Sequence, residues 1–199
     1  MKNLHTIDII YEIIRRNKSV KELNFAVYFY IPETITEKGR LKIYPIKIKQ
    51  INNLQDLRKK LDSIKIPNNW ILGLISQVKM LNGEYRHIPQ IDFQCPISEK
   101  NLNLIKKQFS QIIKTFPGYI LESGKSYHYI GLRLLSEKEW KKFIGRCLLC
   151  NFCKRNGTER MVDERWFGHS LLRGSTDLRI FATDSRPEPK VVAFLEKKK

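Results

Sequence analysis

The stretch Tyr119-Ile120-Leu121-Glu122-Ser123-Gly124-Lys125-Ser126-Tyr127-His128-Tyr129-Ile130 reads as two strands around a tight turn, because aromatic and β-branched residues flank a short polar, glycine-containing break. The second strand is expected to run on to Leu135. Immediately after it, Ser136-Glu137-Lys138-Glu139 has the form of a capping box, and Trp140, Phe143, Ile144, Cys147 and Leu148 make one apolar helical stripe. On the other side, Ser98 is a candidate N-cap for a helix whose apolar face is Leu102, Ile105, Phe109, Ile112, Ile113 and Phe116, closed by Pro117-Gly118. Helix, hairpin and helix therefore follow one another in the middle of the chain.

Further out, Trp70 to Val78 and Ile88 to Phe93 read as strands joined across Asn82-Gly83, a strong hairpin signal. Leu54, Leu57, Leu61 and Ile64 recur at helical spacing before Pro67-Asn68-Asn69. Phe25 to Ile31 and Leu41 to Ile48 are expected to form a hairpin across residues 34–39, with Pro45 marking an edge strand or a bulge. An amphipathic helix opens the chain, with Ile7, Ile10, Ile13 and Ile14 on one face. Leu178 to Thr183 and Lys190 to Leu195 read as the last strands, and residues 197–199 as a frayed tail. Pairs of hairpin strands set between helices read as an α+β chain. No repeat or low-complexity linker interrupts it.

The chain has 199 residues, 42% of them hydrophobic, which suffices for a buried core. Lys and Arg number 37 against 20 Asp and Glu, a formal charge of +17 that attracts polyanions. Nucleic acid is the natural partner for such an excess. No apolar run approaches the roughly 20 residues that span a bilayer, and the first residues lack the apolar core of a signal peptide. A soluble, cytoplasmic protein without membrane contact is expected. Of the four cysteines, Cys147, Cys150 and Cys153 are crowded together, unlike a secreted disulfide framework.

Three clusters carry possible chemistry. In Ile91-Asp92-Phe93-Gln94, residues two apart on a strand face the same way, so Asp92 and Gln94 project together. A pair of carboxylates there would make a metal platform, but Gln94 is neutral. In the hairpin, Ser123, Gly124, Lys125 and His128 combine groups suited to phosphate. It is no P-loop, since the glycine spacing from Gly118 is one residue too long and a strand, not a helix, follows Ser126. In the third, Val162-Asp163 precedes Arg173 and Arg179, which offers a metal ligand with fixed positive charge for a polyphosphate. Trp166 and Phe167 between them read as core.

In this order, the acidic strand motif, the Ser-Gly-x-x-x-His turn after a helix, and the Val-Asp before a basic Leu-Arg strand resemble the archaeo-eukaryotic primase superfamily, particularly its small primase-polymerase branches. The resemblance covers roughly the last two thirds of the chain. It implies a two-lobed catalytic core, with an N-terminal αβ lobe (about residues 1–85) and an RRM-like antiparallel lobe (about 86–199) around one cleft. It implies that Asp92 and Asp163 are catalytic metal ligands, with Gln94 standing where a second carboxylate belongs. Ser123, Lys125 and His128 would hold the incoming nucleotide's phosphates, joined by Arg173, Arg179 and, more loosely, Lys190.

The activity so implied is DNA or RNA priming and polymerisation from NTP or dNTP with Mg²⁺ or Mn²⁺, as in DNA replication. Because Gln94 removes a charge from the metal shell, a catalytically degenerate descendant that only binds nucleotide or nucleic acid stands as the alternative. Cys147, Cys150 and Cys153 resemble part of a zinc or iron-sulfur motif, with Cys95 or His169 as a distant fourth ligand. Core cysteines are the favoured reading, and zinc is a minor expectation. A chain of this length is expected to work with a separate helicase, nuclease or reverse-transcriptase partner.

Overall fold

The structure is a computed structural model that describes residues 4–29, 40–115, 117–154, 157–183 and 186–196. Helix α1 (Thr6–Arg16) buries Ile7, Ile10, Ile13 and Ile14, the anticipated stripe, and Ile9 beside them. Strand β1 (Val20–Tyr28) starts earlier than its aromatic run, and β2 (Arg40–Lys47) pairs with it antiparallel. The turn between them, like the tail at 197–199, lies outside the described residues. Pro45 stands opposite Asn24 on β2, an edge strand, where a missing N–H breaks no ladder. Helix α2 (Leu54–Asp62) is capped by Asn53, whose side chain accepts from the Asp56 N–H, and it buries Leu57 and Leu61.

Strand β3 (Ile71–Met80) does turn back across Asn82-Gly83, but its partner is the short β4 (Tyr85–His87). The expected strand from Ile88 to Phe93 reduces to β5 (Gln90–Asp92), which belongs to a different sheet. Pro89 explains the switch: it has no N–H for the first ladder, and its carbonyl instead accepts from the Gly131 N–H at 2.8 Å. Helix α3 (Glu99–Gln108), capped by Ser98, runs on as a π-helical turn over Phe109–Ile113 and stops at left-handed Lys114; Phe116 lies outside the described residues. Strands β6 (Gly118–Glu122) and β7 (Tyr127–Gly131) form the hairpin read from the sequence, although β7 ends before Leu135.

Helix α4 (Glu137–Leu148) has its capping box made in full by Ser136 and Glu139. A small hairpin follows, β8 (Phe152–Lys154) and β9 (Gly157–Glu159), which the sequence did not announce. Neither did it announce α5 (Glu164–Arg173), capped by Asp163 and closed by left-handed Gly174. Strand β10 (Asp177–Arg179) is shorter than Leu178–Thr183 suggested, and β11 (Lys190–Leu195) matches its run.

These elements make an α+β fold of two antiparallel sheets and five helices. The first sheet has the order β10-β3-β1-β2, with β4 also on β3; the second has the order β11-β6-β7-β5. Because β5 and β6 are both antiparallel to β7, they run parallel to each other with α3 crossing between them, a split β-α-β unit. The second sheet is covered on both faces. Leu121, Ile130 and Val191 enter the core shared with α1, α2 and the first sheet, while Ile120, Tyr127, Tyr129 and Ala193 enter the core under α3, α4 and α5. Burial of these two apolar sets supplies the main drive to fold. β10, late in the chain, pairs with β3 and lies beside β5, so the two sheets meet there. No helix among the described residues is long and apolar enough to cross a membrane.

Candidate functional site

Asp92 closes β5 opposite His128 on β7, on the face of the second sheet that carries Leu121 and Ile130 and turns away from α3 and α4. His128 Nε2 lies 3.5 Å from Asp92 Oδ1. Burial, and then the charges of Arg179 and Arg186, push the His128 imidazole down to about 3, so it is neutral and the contact is a polar one, not an ion pair. Its Nδ1 is buried and has no hydrogen-bond partner among the described residues. A buried polar atom left unpaired costs free energy unless something pairs it, so this is a place where water or a ligand atom can bond.

Beyond β5 the chain runs antiparallel to residues 161–163. Gln94 N–H donates to the Met161 carbonyl at 2.8 Å, Phe93 bridges to Val162, and Asp163 N–H donates to the Asp92 carbonyl at 3.2 Å. Asp92 and Asp163 are thereby placed opposite each other. Burial and then the charge of Asp163 push the Asp92 carboxyl up to about 7, against the opposing pull of Arg186 and Arg179. The Asp92 side chain keeps 30% exposure, so solvent and ligands can still reach it. Asp163 has a second task, since its Oδ1 accepts from Trp166 N–H at 3.0 Å and caps α5. Gln94 is exposed, and its side chain makes no hydrogen bond among the described residues.

The Ser123–Ser126 turn sits beside this pair. Ser123 N–H donates to the Ser126 carbonyl at 2.9 Å and its hydroxyl lies 3.3 Å from that of Ser126. Gly124 holds φ at +115°, a conformation that favours glycine, with Pro187 packed against it. Arg179, 4% exposed, donates to the carbonyls of Ser123 (2.6 Å), Pro187 (2.7 Å) and Phe181. Its guanidinium is a strut for the turn as well as a fixed charge. Lys125 is exposed at the tip. Arg173, at the end of α5, comes within 3.7 Å of Asp177. Lys190 is exposed at the start of β11, opposite Glu122.

The structure therefore gathers Asp92, Asp163, Ser123, His128 and Arg179 at the junction of the sheets, with Arg173 bordering them. It adds three residues that the sequence reading passed over: Tyr28, Asp177 and Arg186. The Tyr28 hydroxyl is pushed well up by burial and then by the charges of Asp177 and Asp92, and Arg173 and Arg179 act on it in the opposite sense. Tyr28 occupies the space over Gly73, where a side chain would meet Tyr28 Cε1 at 2.8 Å. Asp177 could have been noticed, since it alternates with Arg179 on one strand; nothing local marks Tyr28 or Arg186.

Among the described residues no three His, Cys, Asp or Glu side chains gather into a metal cage. Two opposed carboxylates nonetheless fit a hard cation of the Mg²⁺ type, which is commonly held by one or two carboxylates, with water and substrate phosphates completing the shell. Cys95, Cys147 and Cys150 are free thiols of the second core; burial pushes Cys95 up to about 11 and Cys150 up to about 12, which disfavours the thiolate that zinc requires. The side chain of Cys153 lies outside the described residues.

A model of the family described as archaeo-eukaryotic primase 1D-like matches residues 50–192. The chain belongs to that family. The matched span includes every residue named at the junction of the sheets except Tyr28. No curated protein and no solved structure is similar enough to the chain to count as a match.

Proposed function

We propose that this primase-like chain binds an NTP or dNTP at the junction of its two sheets, which act as the walls of one cleft, and joins it to a nucleic-acid 3′ end under template direction. The observation that carries this reading is the opposition of Asp92 and Asp163 beside a turn that Arg179 ties down. Asp92 and Asp163 would hold one divalent cation, Mg²⁺ or Mn²⁺. When bound, it stabilises charge on the phosphates during in-line transfer. In that transfer the 3′-hydroxyl gives up its proton to solvent, its oxygen bonds to the α-phosphorus, the bond to the bridging oxygen breaks, and pyrophosphate leaves. Ser123 and Lys125 supply a hydroxyl and an ammonium to the phosphates. His128, held neutral, offers its unpartnered Nδ1. Arg179 keeps the turn in place and contributes positive charge, and Arg173 is set by Asp177 at the border of the site.

Gln94 favours a second reading: a degenerate site that binds nucleotide or nucleic acid as an accessory to a helicase, nuclease or reverse transcriptase. One experiment separates the two. Template-dependent incorporation of labelled nucleotides with Mn²⁺ is measured for wild type, Asp92→Ala and Gln94→Asp. The catalytic reading expects activity in wild type, at least a hundredfold loss in Asp92→Ala and a gain in Gln94→Asp, because an added carboxylate tightens the cation. An inert wild type that Gln94→Asp awakens establishes the degenerate reading. If all three are inert while nucleic acid binds, the site is a binding platform.

A further inference from the structure

Helices α3 and α4 cover the second sheet on the side away from Asp92, and the π-helical end of α3 packs against α4. Their inner faces are apolar and their outer faces basic. Lys106, Lys107 and Lys114 on the first, and Lys138, Lys142 and Arg146 on the second, are all exposed and make no ion pair with any described residue. The acids nearest them on α4 are committed elsewhere: Glu137 to His87 and Lys141, and Glu139 to the Ser136 cap and Arg133. Six unneutralised cations on two adjacent helices repel one another, so this face has a standing preference for a polyanion.

A second observation on the same face is independent of charge. Gly145 lies in the interior of α4, exposed, and a methyl group placed on it would touch nothing within 4 Å. Its intrinsic helix propensity is poor relative to alanine, and no packing among the described residues requires it. A bare stretch of helix backbone flanked by Lys138, Lys142 and Arg146 lets another backbone come close. Residues 138, 142 and 146 are successive four-residue steps, about 6 Å apart along the axis at the α-helical rise. That matches about two nucleotides of rise on one strand, at roughly 3.4 Å each.

We infer that the outer face of α3 and α4 is a second nucleic-acid surface, which grips the phosphodiester backbone without regard to sequence and on the opposite side of the sheet from the nucleotide site. Such a grip holds template or flanking duplex while the cleft handles the 3′ end. The inference stands whether the cleft is catalytic or degenerate, since it uses none of the cleft's residues. Contacts to phosphate release counterions, so each lost contact lowers the slope of log affinity against log salt by about 0.7 to 0.9.

The test is fluorescence anisotropy of a dye-labelled duplex and of a labelled single strand across a salt series. For Lys138→Glu/Lys142→Glu/Arg146→Glu the expected result is at least a tenfold loss of affinity at about 0.1 M salt and a slope reduced by about two. The glutamine triple variant, which avoids new repulsion within the protein, should show the same reduced slope with a smaller loss. Gly145→Ala should raise the thermal midpoint and yet weaken binding several-fold, a combination that a purely structural glycine would not give. Unchanged slopes in both triple variants overturn the inference. So does loss of binding to poly-glutamate with nucleic-acid binding intact, which would assign the face to an acidic protein.

Discussion

Replacing Arg179 by methionine removes the strut that joins three separate pieces of chain. The guanidinium donates to the carbonyls of Ser123, Pro187 and Phe181 while only 4% exposed, so water has little room to take over. A hydrogen bond to a charged group contributes about 1.5–3 kcal/mol net, and a buried acceptor left unpaired costs about 1–3 kcal/mol. Three such bonds do not add in full, because deleting a buried charge also returns its desolvation cost. The expected loss is about 3–5 kcal/mol, a large part of the 5–15 kcal/mol that typically stabilises a domain. Urea unfolding followed by tryptophan fluorescence measures it. Arg179→Lys restores the charge but not the forked geometry, so it should recover less than half of the stability. In both variants, the turn that carries Ser123 and Lys125 should hold nucleotide more weakly. A methionine variant within about 1 kcal/mol of wild type would refute the strut.

Three further outcomes follow from the buried charges and the packing. Asp92→Asn should raise the urea midpoint at pH 8, where the folded chain carries a carboxylate it disfavours; with the native carboxyl at about 7 against an ordinary 3.8, the gain should be full above 7 and shrink steadily as pH falls from 7 to 3.8. His87 is fully buried against Trp140, and burial lowers its imidazole by more than Glu137 raises it. With its folded value below its unfolded one, stability is present above about pH 6.5 and is lost as pH falls below that; His87→Gln should flatten the decline seen between pH 7 and 5, and an unchanged decline would disprove it. In Gly118→Ala the new methyl would fall against the Tyr129 hydroxyl and 2.5 Å from its Cζ. Tyr129 is wholly buried and bonded to the Thr115 carbonyl at 2.7 Å, so a loss of about 2–3 kcal/mol is expected, largely relieved when Tyr129→Leu is combined with it.

Local chemistry made part of this fold legible. Ser136 and Glu139 announce α4 because a capping box acts over four residues, and the isoleucine stripe announces α1 because helical period and burial coincide. Pairing was less legible: Asn82-Gly83 signals a turn truly, but Pro89, six residues later, decides which sheet the next strand joins. Helix α5 lies behind signals that its sequence does carry: Asp163, a candidate ligand by type, is the N-cap, and Gly174 closes the helix in the left-handed conformation. Asp92, His128, Ser123 and Asp163 come together because each sits at a strand end or turn of neighbouring segments. Tyr28 joins them from more than sixty residues away through pairing across the first sheet, which no local pattern encodes.

The junction where the site lies carries a buried polar network beside its apolar packing. Thr176 Oγ1 donates to Gln90 Oε1 at 2.8 Å, and Gln90 Nε2 donates to the Leu74 carbonyl at 3.1 Å. Thr176 N–H donates to Ser76 Oγ at 2.9 Å, and Ser76 stands 3.4 Å from His87 Nδ1, whose Nε2 meets Glu137 at 2.8 Å. Ser76, His87, Gln90 and Thr176 are all fully buried. Apolar packing tolerates a small slip between strands, whereas a slip here would strand several buried donors and acceptors at once. Gln90 lies two residues before Asp92, and Thr176 directly precedes Asp177. The network therefore fixes β5 against β10, and with it the relation of the Asp92 carboxylate to Asp177 and Arg179. That fixed relation determines how much positive charge the Asp92 and Asp163 pair feels.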